Sequence, residues 1–153
     1  MDDQFYMNLA LNEAKKADKI GEIPIGAIIV NLKGKIIGKG HNQSIIQNNP
    51  CAHAEIVALR RACKTIKNYR LPEATIYVTI EPCIMCMGAI IHARLKKVVY
   101  GSPDPKWGGA GSLYNFAHDK RLNHNLEIVS GIKNDKAKKI ITNFFKNKRS
   151  KQC

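Results

Sequence analysis

The chain has no long hydrophobic run. Its densest apolar stretch, Ile23 to Val30, falls far short of the ~20 residues that a membrane-spanning helix needs, so no membrane partner is expected. The start, Met1-Asp2-Asp3, lacks the basic and apolar regions of a secretory signal, which makes the cytoplasm the expected compartment. Cysteine is scarce and odd in number, five in all with two in a C-x-x-C spacing, and this suits a reducing compartment better than a disulfide scaffold. Acidic residues are few, 12 against 25 basic, leaving a net charge of +13 that argues against an enzyme of acidic small molecules and suits a polyanion such as nucleic acid. Internal repeats, linkers and low-complexity segments are also missing, so a single domain over residues 1–153 is expected.

Nineteen of the basic residues are Lys and six are Arg, in a chain also rich in Asn and Ile, a mix that coding bias alone can produce. The run from Lys133 to Lys148 is therefore first a solvated helix face and second an RNA contact surface.

Apolar spacing predicts a helix over Phe5 to Lys19, ended by Gly21, and a hairpin of two strands, Ile23 to Val30 and Lys35 to His41, across Asn31-Leu32-Lys33-Gly34. A polar loop from Asn42 to Pro50 follows. Beyond it come a helix Ala52 to Thr65, a buried strand Ala74 to Thr79, a helix Cys83 to Ala93 and a strand Lys97 to Tyr100. Gly101 to Gly111, rich in Gly and Pro and carrying the only Trp, reads as a loop of the kind that often holds function. A short strand Leu126 to Val129 and a helix Asp135 to Phe145 complete the chain. This order predicts an α/β fold, a mixed sheet with helices on both faces.

Two short motifs carry the chemistry: His53-Ala54-Glu55, and downstream Pro82-Cys83-Ile84-Met85-Cys86. They supply an imidazole and two thiolates suited to one Zn2+ ion per chain, with a carboxylate left over. Structural zinc sites are closed by four protein ligands, whereas catalytic ones use three and leave the fourth position to water. Three ligands, His53, Cys83 and Cys86, beside a spare Glu55 make the hydrolytic pattern. H-x-E followed by P-C-x-x-C is the known signature of the zinc nucleobase deaminases, so the assignment is a match to that signature.

Pro82 reads as a first helical position, which puts Cys83 and Cys86 in one turn on one face, beside the positive end of the helix dipole that favours thiolates. His53 and Glu55 are two apart, roughly 200° around a helix, so His53 must sit at the helix entry rather than inside it. Two helix N-termini facing one another is the simplest arrangement. Glu55 then takes a proton from the activated water, which attacks an amidine carbon, and passes protons to the ring nitrogen and to departing ammonia.

With these residues in place the chain resembles the cytidine deaminase superfamily, and within it the bacterial tRNA adenosine deaminases. The likeness runs through Gly21-Glu22-Ile23-Pro24-Ile25-Gly26-Ala27, His53-Ala54-Glu55-Ile56, Asn68-Tyr69-Arg70-Leu71, Glu81-Pro82-Cys83, Gly109-Ala110-Gly111-Ser112-Leu113, Asn123-His124 and Phe144-Phe145. The resemblance implies a three-layer α/β/α cytidine deaminase-like fold with a central five-stranded mixed sheet. It further implies hydrolytic deamination of the wobble adenosine of a tRNA anticodon to inosine by a homodimer, with the tRNA anticodon arm as partner and no organic cofactor. By the same resemblance Asn42 hydrogen-bonds the purine, Asn123 helps hold the extruded nucleotide, Asp104 lies near the substrate sugar, and Phe145 lies where the last helix meets the anticodon loop.

Each of these residues has a plainer reading. Asn42 after a strand suits a turn, and Phe144 and Phe145 share a helical spacing with Ile140 and Ile141 that suits the core, although adjacent aromatics cannot both point inward. His41, His92, His118 and His124 read as surface or supporting groups, and Cys63 as a buried helical residue. Two departures from the family stand out: Cys51, two before His53, could offer a fourth ligand and block the water position, and Trp107 could stack on an anticodon base or simply cover apolar surface. The competing functions are a free nucleobase deaminase for guanine or cytosine and a non-catalytic tRNA-binding deaminase subunit. Partners of the latter kind typically lose the proton-carrying Glu, which is present here as Glu55.

Overall fold

The computed structural model describes residues 2–151. Helix α1 (Asp3–Lys19) begins where extended Asp2 accepts the Phe5 N–H at its Oδ1, 3.1 Å away, and it carries Lys16 and Lys19 in its last turn. Gly21, at φ +79°, turns the chain out. The hairpin strands are β1 (Gly26–Val30) and β2 (Ile36–His41). β1 starts three residues later than the apolar run suggests, because Pro24 has no N–H for a ladder and the Ile25 N–H closes a tight turn on the Ile23 carbonyl at 2.9 Å.

Helix α2 (Ala54–Ile66), strand β3 (Thr75–Ile80), helix α3 (Ile84–His92), strand β4 (Lys97–Ser102), strand β5 (Glu127–Val129) and helix α4 (Asn134–Lys151) follow. A 3₁₀ turn at Phe116–His118, which periodicity does not signal, breaks the connection to β5. α4 continues past Phe145 to Lys151, since no Gly or Pro stops it and basic residues crowd its last turn.

The five strands lie in the order β2-β1-β3-β4-β5. β2–β1 and β1–β3 are antiparallel, while β3–β4 and β4–β5 are parallel, so the sheet is mixed. Alternate residues face opposite layers, as the strand period of two requires. Ile28, Val30, Tyr77 and Val99 pack on Tyr6, Met7 and Ala10 of α1, while Ala137 of α4 joins Leu11 and Ile80 nearby. Ala27, Ile29, Ile76, Val78 and Val98 pack on α2 and α3 through Ala58, Leu59, Met87 and Ile90. Every residue of β3 is buried, as a strand covered on both faces must be.

One contact bears directly on the site. A Cβ at Gly40 would lie 2.4 Å from the Ala54 carbonyl oxygen, and one at Gly38 would lie 2.5 Å from that of Ala58. Side chains are excluded there, so α2 lies with its backbone against β2 and its first turn is held to the sheet. Among the described residues no helix is long and apolar enough to cross a membrane.

Candidate active site

The N-termini of α2 and α3 meet as the motif spacing predicts. His53 is the N-cap of α2 and Cys83 the N-cap of α3, both in extended conformation, and neither side chain caps its own helix. Their donor atoms turn to each other instead. The His53 Nδ1 lies 3.7 Å from the Cys83 Sγ and 3.6 Å from the Cys86 Sγ. The register differs from expectation in one detail: Pro82 stands before the N-cap, not at the first helical position, leaving Cys83 at the entry and Cys86 inside the first turn. Cys83 still reaches the ion position, because an N-cap side chain projects toward the helix axis end.

The donor set fits zinc. With Zn–S near 2.3 Å and Zn–N near 2.0–2.1 Å, a tetrahedron has S···N edges of about 3.6 Å, which is the separation found. All three ligand atoms lie within 4.8 Å of one another, and no fourth His, Cys, Asp or Glu joins them among the described residues. Cys51 is exposed and outside the cluster, so it does not close the site.

Glu55 is buried in the first turn of α2, beside the cluster and not part of it. Burial pushes its carboxyl up to about 7, against the opposing pull of its own backbone N–H, so the group can both accept and release a proton near neutral pH. The two thiols divide one proton unequally. The hydrogen bond from Cys86 holds Cys83 down at about 4, and the same bond with burial pushes Cys86 far up. His53 is raised, chiefly by its hydrogen bond with Cys83.

A cleft of about 410 Å³ opens over the cluster, lined by Ile23, Asn42, His53, Cys83, Ile84 and Trp107 among others. Asn42 is buried at the end of β2, where its Oδ1 accepts the Ser44 hydroxyl at 3.1 Å, so it stands in the cleft with the ligands. Asp104 lies on the neighbouring loop and its Oδ1 accepts the Lys106 and Trp107 N–H groups at 3.0 and 3.2 Å. Asn123 is exposed and lines a separate cavity of about 450 Å³ with Gly88, His92 and Phe116, bordered on the cleft side by the shared Ile84. Phe145 is exposed on α4, packs edge-on against buried Phe144, and is not among the residues that line the cleft. Cys63 is only partly buried, because it faces the exposed end of α2 and lies 3.6 Å from the Tyr69 carbonyl.

Two carboxylates that motif reading passes over hold the cleft walls. Glu81, 3% exposed, receives the Asp104 N–H at Oε1 (3.0 Å), the Ala110 and Ser112 N–H groups at Oε2 (3.0 and 3.1 Å), and the Ser112 hydroxyl. Glu22, 1% exposed, receives the Ile45 and Ile46 N–H groups at 3.0 and 2.8 Å. Charge-assisted bonds of this kind are the strong ones. A lone Glu one or two residues before a proline, Glu81 before Pro82 and Glu22 before Pro24, is the sequence signal for both. Glu81→Gln sets an amide NH₂ against the N–H donors of its loop, and we expect a loss of roughly 1–3 kcal/mol of unfolding free energy. An unchanged urea midpoint for Glu81→Gln refutes that role.

A mixed sheet between helix layers, with one His, two Cys and a buried Glu at paired helix N-termini, defines a nucleobase deaminase of the cytidine deaminase-like fold. Residues 1–149 match the MafB19-like deaminase family. The tRNA-specific adenosine deaminase of Haemophilus influenzae is 47% identical over 98% of this chain and 87% of its own length. A tRNA:A34 deaminase solved in work on A-to-I editing at the wobble position of transfer RNA superposes with a TM-score of 0.85, at 40% identity over 89% of this chain and 98% of that one. The guanine deaminase of Bacillus subtilis superposes less well, with a TM-score of 0.65 at 38% identity over 73% of this chain and 71% of that one. The chain belongs to the tRNA-specific adenosine deaminase family.

Proposed function

We infer that this protein hydrolyses the wobble adenosine of a tRNA anticodon to inosine and ammonia. The observation that carries the reading is the cluster of His53, Cys83 and Cys86 with buried Glu55 beside it, in a chain that is 47% identical nearly end to end to a tRNA-specific adenosine deaminase. His53, Cys83 and Cys86 would hold one zinc ion. Bound there, zinc supplies Lewis acidity that brings the pKa of a water toward ~7.

The chain's own groups do the rest. Glu55 takes a proton from the attacking water as its oxygen adds at C6 of the purine and hands that proton to the ring nitrogen; it then takes the remaining proton from the new C6 hydroxyl and gives it to the amine, which leaves as ammonia as the C6–N bond breaks and the C6 carbonyl forms. Asn42 orients the base from the cleft wall, while Asp104, Asn123 and Phe145 serve the sugar, the flanking nucleotides and the anticodon loop. A base extruded from a single-stranded loop can enter such a cleft, whereas a paired one cannot. The same reading places the protein in the cytoplasm, without an organic cofactor, as a homodimer; exposed apolar Ile84, which borders both the cleft and the neighbouring cavity, and Leu122 of that cavity support the assembly.

The test is to incubate the zinc-loaded protein with an anticodon stem-loop carrying wobble adenosine, and to sequence the product, in which inosine reads as guanosine. Conversion of free guanine or cytosine with the stem-loop untouched would favour the free-base reading instead. Binding without conversion would favour the non-catalytic subunit.

The net charge of +13 leads to a further expectation. Contact with about three phosphates should weaken stem-loop binding roughly 20-fold between ~50 and ~200 mM salt through counterion release. Lys→Gln changes at Lys136, Lys139 and Lys146 should flatten that slope, and a salt-independent affinity measured by filter binding shows that the charge is compositional only.

A further inference from the structure

We propose that Trp107 is a specificity-determining residue, a stacking platform at the mouth of the cleft for a nucleobase flanking the target adenosine; the inference rests on the RNA-editing reading above. Trp107 is the only tryptophan of the chain and is 64% exposed. Its indole makes no ring or cation contact among the described residues, yet it lines the same cleft as His53, Cys83 and Asn42.

The backbone beneath it is held in place. The Trp107 N–H is bonded to the Asp104 Oδ1 at 3.2 Å, and the Asp104 N–H to the buried Glu81 Oε1 at 3.0 Å. Glu81 is two residues from Cys83 in the chain, and the Gly109 N–H reaches the Pro82 carbonyl at 2.8 Å. Glycine follows Trp107 for a physical reason: a Cβ at Gly108 would lie 2.3 Å from the Glu81 Oε2. The backbone that carries the platform is thus tied by short bonds to the segment that carries the metal ligands, so the root of the indole is held at the cleft. A cleft of about 410 Å³ lies within the range of small-ligand sites, ~300–1,000 Å³, and has room for one nucleotide. The base next to it in the loop then lies over the indole.

Stacking of this kind is sequence-tolerant, since every base has a π-face. Trp107 therefore contributes to recognising a splayed single-stranded loop over a free base. Single-turnover deamination of the stem-loop, at increasing concentrations of zinc-loaded protein, separates half-saturation from the limiting rate. Trp107→Ala should raise the half-saturating concentration roughly 5- to 150-fold, with a smaller change in the limiting rate. Trp107→Phe should restore most of the loss. Replacing both nucleotides flanking the adenosine by abasic residues should erase the difference between Trp107→Ala and the parent, and should also remove the quenching of the single tryptophan's fluorescence that intact RNA produces.

If Trp107→Ala half-saturates as the parent does, or if the abasic loop leaves its full penalty in place, the stacking inference fails while the editing activity stands. A parent protein that leaves the stem-loop unedited overturns the editing reading and this inference with it.

Discussion

Glu55→Gln should lower turnover by roughly 10²–10⁴-fold or more while zinc content and RNA affinity stay where they are, because positioned acid–base groups contribute on that scale and the proposed mechanism assigns several proton transfers to this one residue. The substitution keeps size and burial. It removes only the ability to carry a proton at a carboxyl that burial brings to about 7. Glu55 stands outside the cluster of His53, Cys83 and Cys86, so the metal should not notice the change. Single-turnover rates on the stem-loop, with elemental analysis of the same preparation, test both halves. A variant that keeps most of its rate, or that loses its zinc, shows that Glu55 is not the proton carrier, and the non-catalytic reading then leads.

The joint change Cys83→Ala and Cys86→Ala should take zinc from one ion per chain to near zero and abolish deamination, since a lone imidazole cannot retain the ion that three converging ligands hold. The separations of 3.6 and 3.7 Å from the His53 Nδ1 are what lead to this expectation. A parallel arm uses the unaltered protein: a chelator should remove activity and added zinc should restore it. Cys51→Ser is the control, because its thiol lies outside the cluster and should leave the stoichiometry unchanged. Full zinc retention in the doubly substituted protein removes Cys83 and Cys86 from the ligand set.

The metal cluster was legible from residue type and spacing because it depends on local rules. A His two before a Glu must lie at a helix entry for both to work, and the structure places it there as the N-cap of α2. The C-x-x-C pair likewise shares one turn wherever the helix begins, which is why the shift of Pro82 out of the helix did no harm. The ends of elements were less legible. β1 loses three residues at Pro24, and α4 gains six beyond Phe145 because nothing local ends it.

What the amino-acid sequence determined by itself is the donor set: which atoms converge as possible metal ligands, which carboxyl stands beside them, and that the chain adopts an α/β fold. These follow from short-range spacing and donor type, which survive any detail of packing. Only the tertiary structure decided what surrounds that chemistry. Asn42 and Trp107 share the cleft with the ligands, while Asn123 lies beyond Ile84 and Phe145 lies out on α4. Glu81 and Glu22 proved to be buried anchors of the two cleft walls, and no periodicity marks them. The physical reason is that such neighbours are set by strand order and register, β2-β1-β3-β4-β5, which join segments far apart in the chain. A carboxylate's partners are whatever N–H groups that pairing leaves unsatisfied beside it.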